Sequence, residues 1–465
     1  MKENNLISTF ENWAKEKFIS IKKLPASGSY REYYRIKSKN KNAILVFNDD
    51  KRENIAFIKY TEHFLKKKLK VPKIYKKSLD KNIYLLEDLG DETLFSFIKK
   101  NLKNENIENL YKKLIPQIIE FQIKADENLD YSYSYPRPNF DKQSILWDLN
   151  YFKYNFLKLS KISFYEQDLE DDFEKLINIL LQEKQDFFLY RDLQSRNIMI
   201  KNNCFYFIDY QGGRKGALQY DLASLLYDAK ANIPEKIREN LLDFYIKTLK
   251  KYIVFEEKEF KNNFYAYSLI RILQAFGAYG FRGIFEKKKH FIESISFGIK
   301  NLEIILSKIS FAKEIPSLIK ILKKIIDNEK KYFSDDKKLK IIINSFSYRR
   351  GIPADASTNG GGFVFDMRFL ENPYWQENLR DFNGKDKEIK KFFEKKEDIN
   401  FFLERIFEII DNVIGSYQKK NYGNLMINFG CTGGKHRSVY SAESLYKYLK
   451  LQKKDFEIKL KHLEL

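Results

Sequence analysis

The reading of the whole chain turns on residues 187–213, "FFLYRDLQSRNIMIKNNCFYFIDYQGG". The apolar run Phe187–Leu189 reads as a strand, and a polar loop follows it. That loop carries Asp192 and, five residues later, Asn197. Asp209 stands twelve residues beyond Asn197, at the end of a second apolar strand, "FYFI". Phosphoryl transfer from ATP needs such a set. One carboxylate accepts the proton of the attacking hydroxyl, while an asparagine and a second carboxylate hold the Mg2+ ions that neutralise the phosphates. The competing reading is that polar residues at strand ends are turn residues, so the neighbouring segments must decide.

Upstream, residues 28–90 read as strands around one helix. "REYYRI" and "NAILVF" have the alternation or apolar run of strands, and "ENIAFIKYTEHFLKKKL" has helical spacing. The small-residue turn Ser27-Gly28-Ser29 lies between two strands, where its backbone N–H groups suit phosphates. A hairpin turn would look the same. In "YLLEDLGDETL", Glu87-Asp88-Leu89 fall where a strand leaves this small lobe. In kinases that segment offers backbone groups to adenine. From about 92 to 330 the pattern is helical, interrupted by the strand pair around Asp192 and Asp209. A small lobe of about 1–90 therefore precedes a helical lobe of about 91–333. The expectation is an α+β, protein-kinase-like bilobal fold.

Five segments, "ASGSYREYYRI", "YLLEDLGDETL", "LYRDLQSRNIM", "FIDYQGGRKGALQYDLASLLYDA" and "RILQAFGAYG", carry a resemblance. Residues 1–333 resemble the aminoglycoside-phosphotransferase and choline-kinase superfamily. Within it they look most like the cell-wall amino-sugar kinases that phosphorylate N-acetylmuramate and N-acetylglucosamine on the anomeric hydroxyl. The resemblance implies Asp192 as catalytic base and Asn197 and Asp209 as Mg2+ ligands. It also implies Asp221 as a brace for the catalytic loop, with ATP and Mg2+ as cofactors. Ser27, Gly28, Ser29, Arg31, Glu87, Asp88 and Leu89 would meet the nucleotide.

Asp228, Arg271 and Gln274 are candidates for the substrate, since arginine suits the lactyl carboxylate of a muramic acid. Tyr190 stands where many members have histidine. The strand "NAILVF" lacks the phosphate-pairing lysine of protein kinases, with Lys41 and Lys51 only at its ends. Arg31 and Arg35 are candidates to replace it. Its glutamate partner, Glu53 or Glu62, is left open.

A second set of motifs follows "FSDDKK", and a domain boundary is placed at 334. "LKIIINSFSY", "FVFDMRF" and "GNLMINFG" read as strands, with helices between and after them, so residues 334–465 form a smaller α/β domain. "GCTGGKHRS" is a glycine loop ahead of a helix, a geometry that binds anions. Cys431 and Arg437 also stand in the C-x5-R-S spacing of a cysteine phosphatase. In that reading Cys431 is a thiolate nucleophile; against it, Gly430 stands where those enzymes carry a histidine, and Asp366 lies at a strand end instead of on the movable loop a general acid needs.

"SFSYRRGIPADAS", "FVFDMRFLENPYW", "LRDFNGKDKEIKKFF" and "GCTGGKHRSVYSAESLYKYL" resemble the C-terminal domain of RapZ, the RNase adapter family. That resemblance implies an effector module for an amino-sugar phosphate and, in some members, small regulatory RNA. Thr432, Gly433, Gly434, Lys435, His436, Arg437 and Ser438 would form the pocket. Arg350 stands where the family has a pocket histidine, and "STNGGG" is an insertion. No G-x4-G-K-[ST] nucleotide motif occurs.

The chain has 465 residues, enough for two or three domains. Lys and Arg number 84 against 64 Asp and Glu, a net charge of +20. The lysines are spread along the chain, so RNA is a weaker expectation than a small anion. With two cysteines, no disulfide scaffold is implied. The amphipathic N-terminal segment lacks a signal peptide's apolar core, and no run is long enough to span a membrane. A cytoplasmic protein is expected, with self-association open.

The resulting expectation is a fusion of an amino-sugar kinase with an amino-sugar phosphate sensor. Its rivals are a kinase for choline or an aminoglycoside, an RNA-binding regulator with a weak kinase, and a C-terminal phosphatase.

Overall fold

The computed structural model describes residues 2–25, 31–101, 104–160, 162–332, 339–353, 362–420, 422–452 and 456–465. The turn Ser27-Gly28-Ser29 and most of "STNGGG" lie outside them. Contacts group the chain into two units. One holds Met1–Tyr151, Ser163–Ala275 and Phe297–Lys323; the other holds Phe152–Ile162, Phe276–Ser296 and Lys324–Leu465. The grouping does not coincide with a single cut at 334. Two π-helical turns, Lys153–Leu157 and Tyr279–Phe285, fall in the second unit and press on one another. A Cβ on Gly280 would lie 1.9 Å from the Asn155 carbonyl oxygen, which only glycine permits.

The first unit opens with α1 (Lys2–Ala14), then β1 (Ser20–Lys23), β2 (Glu32–Lys37), β3 (Asn42–Phe47), α2 (Lys51–Lys66), β4 (Ile74–Ser78) and β5 (Ile83–Leu86). The strands form an antiparallel sheet in the order β1-β2-β3-β5-β4. Leu6, Phe10 and Ala14 of α1 pack on Ile36, Ala43, Leu45, Ile83 and Leu85 of the sheet. Asp50 caps α2 by accepting from the backbone N–H groups of Arg52 and Glu53.

The helical lobe follows: α3 (Leu94–Asn101), α4 (Asn104–Asp126), α5 (Lys142–Phe152) and α6 (Glu166–Leu181). Next come β6 (Phe187–Leu189), β7 (Ile198–Lys201), β8 (Cys204–Phe207) and β9 (Arg214–Gly216), then α7 (Leu218–Leu226), α8 (Glu235–Leu249), α9 (Glu257–Ala278), α10 (Lys289–Lys308) and α11 (Pro316–Tyr332). Two antiparallel ribbons, β6–β9 and β7–β8, grip the loop between Leu189 and Ile198. The Gly213 and Gly216 sites have no room for a Cβ, which would meet Phe188 at 2.4 Å and Leu189 at 2.3 Å.

The second unit contains a parallel sheet, β10 (Leu339–Ser347), β11 (Gly362–Asp366), β12 (Asn424–Cys431) and β13 (Phe456–His462), in the order β11-β12-β10-β13. Its helices are α12 (Lys387–Glu394), α13 (Glu397–Lys419) and α14 (Arg437–Leu451). Ile341 faces Leu425 and Ile343 faces Ile427 across the β10–β12 pair, and all four are fully buried. A parallel sheet covered by helices demands such apolar central strands. The segment Phe456–His462 is the edge strand β13. Its exposed positions alternate as strand geometry requires.

Ile341→Ala should lower stability by about 2–5 kcal/mol through lost burial and a cavity, read as a lower denaturant midpoint. Lys461→Ala, on the exposed face of β13, should move the midpoint by less than about 0.5 kcal/mol equivalent.

Candidate functional site

The loop after β6 is held from beneath by one carboxylate. Asp221, on α7 and fully buried, accepts from the backbone N–H of Tyr190 at 2.7 Å and of Arg191 at 3.0 Å. Burial pushes its carboxyl up to about 7, opposed by those two donors and by Gln122. Arg191 takes φ +82, a conformation unfavourable for a side-chain-bearing residue. The two bonds to Asp221 hold it there. Its guanidinium reaches Asp148 through two bonds of 2.7 and 2.5 Å, and the Tyr220 hydroxyl at 2.6 Å. Tyr190 packs in the core and donates from its hydroxyl to the Ile208 carbonyl. The position therefore tolerates exchange of histidine for tyrosine.

Above this anchor, Asp192 is half-exposed and Asn197 is buried. The Asn197 side-chain N–H donates to the Asp192 carbonyl at 2.8 Å. That bond leaves its amide oxygen as the atom for a ligand. Asp209 follows β8 at φ +69 and accepts from Gln211 at 2.9 Å. Asn197 and Asp209 supply hard oxygen donors, the kind Mg2+ takes from a protein while keeping water and phosphate oxygens as further ligands. No cluster of three or more His, Cys, Asp or Glu suited to a metal occurs among the described residues. A Mg2+ held by one carboxylate, one amide and phosphates requires none.

Arg271 lies beside Asp192, its guanidinium 4.0 Å from the carboxylate. Its Nε donates to the Ser224 hydroxyl at 3.0 Å, and a second nitrogen donates to Gln274. Asp228 departs from the expected substrate contact. One of its oxygens accepts from both the Ser195 N–H, at 3.1 Å, and the Ser195 hydroxyl, at 2.6 Å. The other accepts from the Lys230 N–H at 3.1 Å. Asp228 is thereby a second brace for the loop between Asp192 and Asn197.

The two arginine candidates of the small lobe have different partners. The Arg31 side chain is 1% exposed, 2.5 Å from Glu53 and 3.4 Å from Asp209. It also donates to the Tyr33 hydroxyl at 2.9 Å. Glu62 pairs instead with Lys77. Arg35 is committed elsewhere: it grips both oxygens of Asp88 at 2.8 and 3.0 Å, and also bonds Asp91 and the Gly90 carbonyl. Lys41 donates to the Ala14 carbonyl, at the end of α1. The 87–89 segment is fixed by Arg35 and by Lys201, which bonds Glu87 at 2.8 Å and the Asp88 carbonyl at 3.0 Å. Leu89 is buried. Asp148, Lys201 and Tyr33 were not foreseen. Asp148 and Lys201 lie far in sequence from the residues they bond, so spacing carries no signal for them, whereas Tyr33 stands two positions from Arg31 on the same strand face, the spacing at which the two could meet.

In the second unit, the loop after β12 exposes Thr432, Gly433 and Lys435 and buries Gly434, His436, Arg437 and Ser438. Gly434 takes φ +72 and donates its N–H to the Cys431 sulfur at 3.2 Å. Two expected pocket side chains already bond within the protein. Arg437 donates to the carbonyls of Arg368, at 2.9 Å, and Leu370, at 3.0 Å. The Ser438 hydroxyl, fully buried, meets the Cys431 sulfur at 3.2 Å. The first turn of α14 abuts the chain after β11, whose carbonyls need donors. Arg350 is 78% exposed.

The same geometry works against a phosphatase. The Cys431 sulfur is enclosed, the arginine is tied to backbone, and Arg368 holds the Asp366 carboxyl below the usual range, which makes it a poor acid. Among the described residues, no helix is long and apolar enough to cross a membrane.

Residues 20–254 match the phosphotransferase enzyme family, and residues 339–465 match the RapZ C-terminal domain. A nucleotide-binding protein of Actinobacillus pleuropneumoniae serotype 5b is 40% identical over 131 residues, which are 28% of this chain and 44% of that protein. The chain thus spans less than half the length of the curated relatives it matches.

Among solved structures, choline kinase LicA from Streptococcus pneumoniae aligns with a TM-score of 0.42 and 16% identity, covering 66% of this chain and 99% of that one. Plasmodium vivax ethanolamine kinase Pv091845 aligns with a TM-score of 0.44 and 14% identity, covering 63% and 84%. With half of its length in the match at residues 20–254, the chain belongs to the phosphotransferase enzyme family, and it carries a RapZ C-terminal domain behind that match.

Proposed function

We propose that the protein transfers the terminal phosphoryl group of ATP to a hydroxyl of an amino sugar, the anomeric one of N-acetylmuramate or N-acetylglucosamine. The observation that carries the reading is the meeting of Asp192, Asn197 and Asp209 with the Arg31–Glu53 pair. Asp192 accepts the proton of the attacking hydroxyl. Asn197 and Asp209 would hold Mg2+, which when bound neutralises charge on the phosphate oxygens. Arg31, oriented by Glu53, takes the place of the kinase lysine on the phosphates. The backbone of 87–89 receives the adenine, and Ser27-Gly28-Ser29 covers the phosphates.

The amino-sugar assignment rests on the family resemblance and on Arg271. A guanidinium 4.0 Å from the base favours an acceptor with a carboxylate, such as the lactyl group of N-acetylmuramate. It disfavours a quaternary ammonium such as choline, by charge repulsion. Gln274, paired with Arg271, is the adjoining hydrogen-bonding group. The C-terminal domain binds an amino-sugar phosphate at the loop of Thr432, Gly433, Gly434 and Lys435. Arg350 is the exposed cation nearby. The pairing is coherent, since one domain makes the kind of ligand that the other receives.

ATP consumption against a panel of amino sugars, with the product position read by phosphorus NMR, tests the activity. Asp192→Asn should lower turnover by about 10²–10⁴-fold while leaving nucleotide binding intact. Wild-type inactivity on every sugar, with turnover on an amine alcohol, would overturn the assignment. Arg31→Lys should cut kcat/KM for ATP by roughly ten- to a hundredfold, the worth of a charged hydrogen bond. Arg35→Lys should affect adenine-ring contacts more than phosphate discrimination. Arg271→Gln should reduce kcat/KM for N-acetylmuramate by about tenfold or more, and that for N-acetylglucosamine far less. An equal loss on both sugars would remove Arg271 from acceptor selection.

A further inference from the structure

One acidic side chain lies where the anion-binding reading would least expect it. Glu464 follows β13, and its methylene carbons cover Gly434. A Cβ on that glycine would come within 2.4 Å of the Glu464 Cγ and 3.1 Å of its Cβ. The Glu464 side chain is 18% exposed, with a carboxylate oxygen 3.9 Å from the Arg350 Nε.

This placement is built into the strand that delivers it. The Leu463 N–H donates to the Ser345 carbonyl at 3.0 Å. His462 is held between the Ser345 hydroxyl at 2.8 Å and Glu443 at 3.2 Å. Ser347, beside the same glycine, donates its hydroxyl to the Thr432 carbonyl at 2.6 Å. The end of β13 and the loop after β12 are thus both fixed to β10, and Glu464 bridges them.

We infer that Glu464 is a resident anion of the loop Cys431–Lys435, which competes with an incoming phosphate monoester for the loop and for Arg350. The inference rests on the anion-binding reading of that loop and adds its regulation. The Arg437 Nε, buried next to the loop, has no protein hydrogen-bond partner.

Glu464 is also displaceable. A pair at 3.9 Å with an arginine that is 78% exposed is a weak tether. When it leaves, Arg350 changes partner from carboxylate to phosphate. The resident acid keeps the site closed to anions at low concentration and raises the level of sugar phosphate at which the domain responds.

Calorimetric titration of the full chain with glucosamine 6-phosphate, and separately with inorganic phosphate, tests this. Glu464→Gln keeps the packing on Gly434 and removes the charge. It should tighten binding by about fivefold or more, the effect of one like charge at 4 Å in a water-like medium. Glu457→Gln, on the exposed face of β13, should leave binding unchanged. Tightening for both probes assigns the competition to the phosphate group. Tightening for the sugar phosphate alone would assign Glu464 to the sugar and overturn the inference. Unchanged or weaker binding by Glu464→Gln, with wild-type binding intact, would overturn the inference and leave the anion loop standing. No binding by wild type or either variant would overturn the anion loop itself. If Glu464→Gln shifts the thermal unfolding midpoint, Arg350→Gln gives the second reading. It should weaken phosphate binding in the Glu464→Gln background more than in the wild type.

Discussion

Two hydrogen bonds from backbone N–H groups to the buried carboxylate of Asp221 hold the site of the first unit together. They fix Tyr190 and Arg191, and so fix the direction in which the chain presents Asp192. The arrangement is costly in isolation, since it buries a carboxylate and sets a side-chain-bearing residue at positive φ. It persists because the surroundings determine it from several sides. Asp148 takes the Arg191 guanidinium, Asp228 holds Ser195, and Asn197 ties back to the Asp192 carbonyl. Asp192 itself is half-exposed. Its neighbours are rigid so that it can remain exposed and reactive.

The small lobe places a buried arginine beside the α2 glutamate. No lysine lies within β3, yet a buried cation reaches both the α2 glutamate and Asp209. Arg31 enters from the start of β2, one strand away from the expected position. Two residues apart on the same face would be Arg31 and Tyr33, and they do meet. Arg35, two further positions along, serves the 88–91 turn instead. Arg31, Tyr33 and Arg35 share one face of the strand, and it is their separation along it that gives the two arginines different partners, Glu53 and Asp209 for Arg31 and the 88–91 turn for Arg35.

In the C-terminal domain the conflict is between spacing and surroundings. C-x5-R-S places a thiol and a guanidinium at the right separation for phosphatase chemistry, but neither group is free. The Cys431 sulfur accepts from Gly434 and meets Ser438, while Arg437 stitches α14 to the chain after β11. What remains accessible is backbone, Thr432 and Lys435, with Arg350 and Glu464 alongside. Cys431 is buried there, and Thr432 and Lys435 are the exposed side chains of the loop.

By itself the sequence determined the elements and their order. Apolar runs and alternation marked β2, β3, β5, β10 and β12, and helical spacing marked α2 and α11, because burial imposes a period on local sequence. It also marked Asp192, Asn197 and Asp209, which lie on one short loop–strand segment. Short or half-exposed strands such as β4 and β9 have too little apolar pattern to be read, whereas β13 shows the apolar–polar alternation of a strand from Phe456 to Lys461. Only the tertiary structure decided which of two arginines meets Glu53, that Asp228 braces the loop, that Arg437 is bound to backbone, and that Glu464 lies on Gly434. Each of these depends on partners tens to hundreds of residues apart. A side chain's role there follows from what the fold brings within hydrogen-bonding distance, which no local spacing encodes.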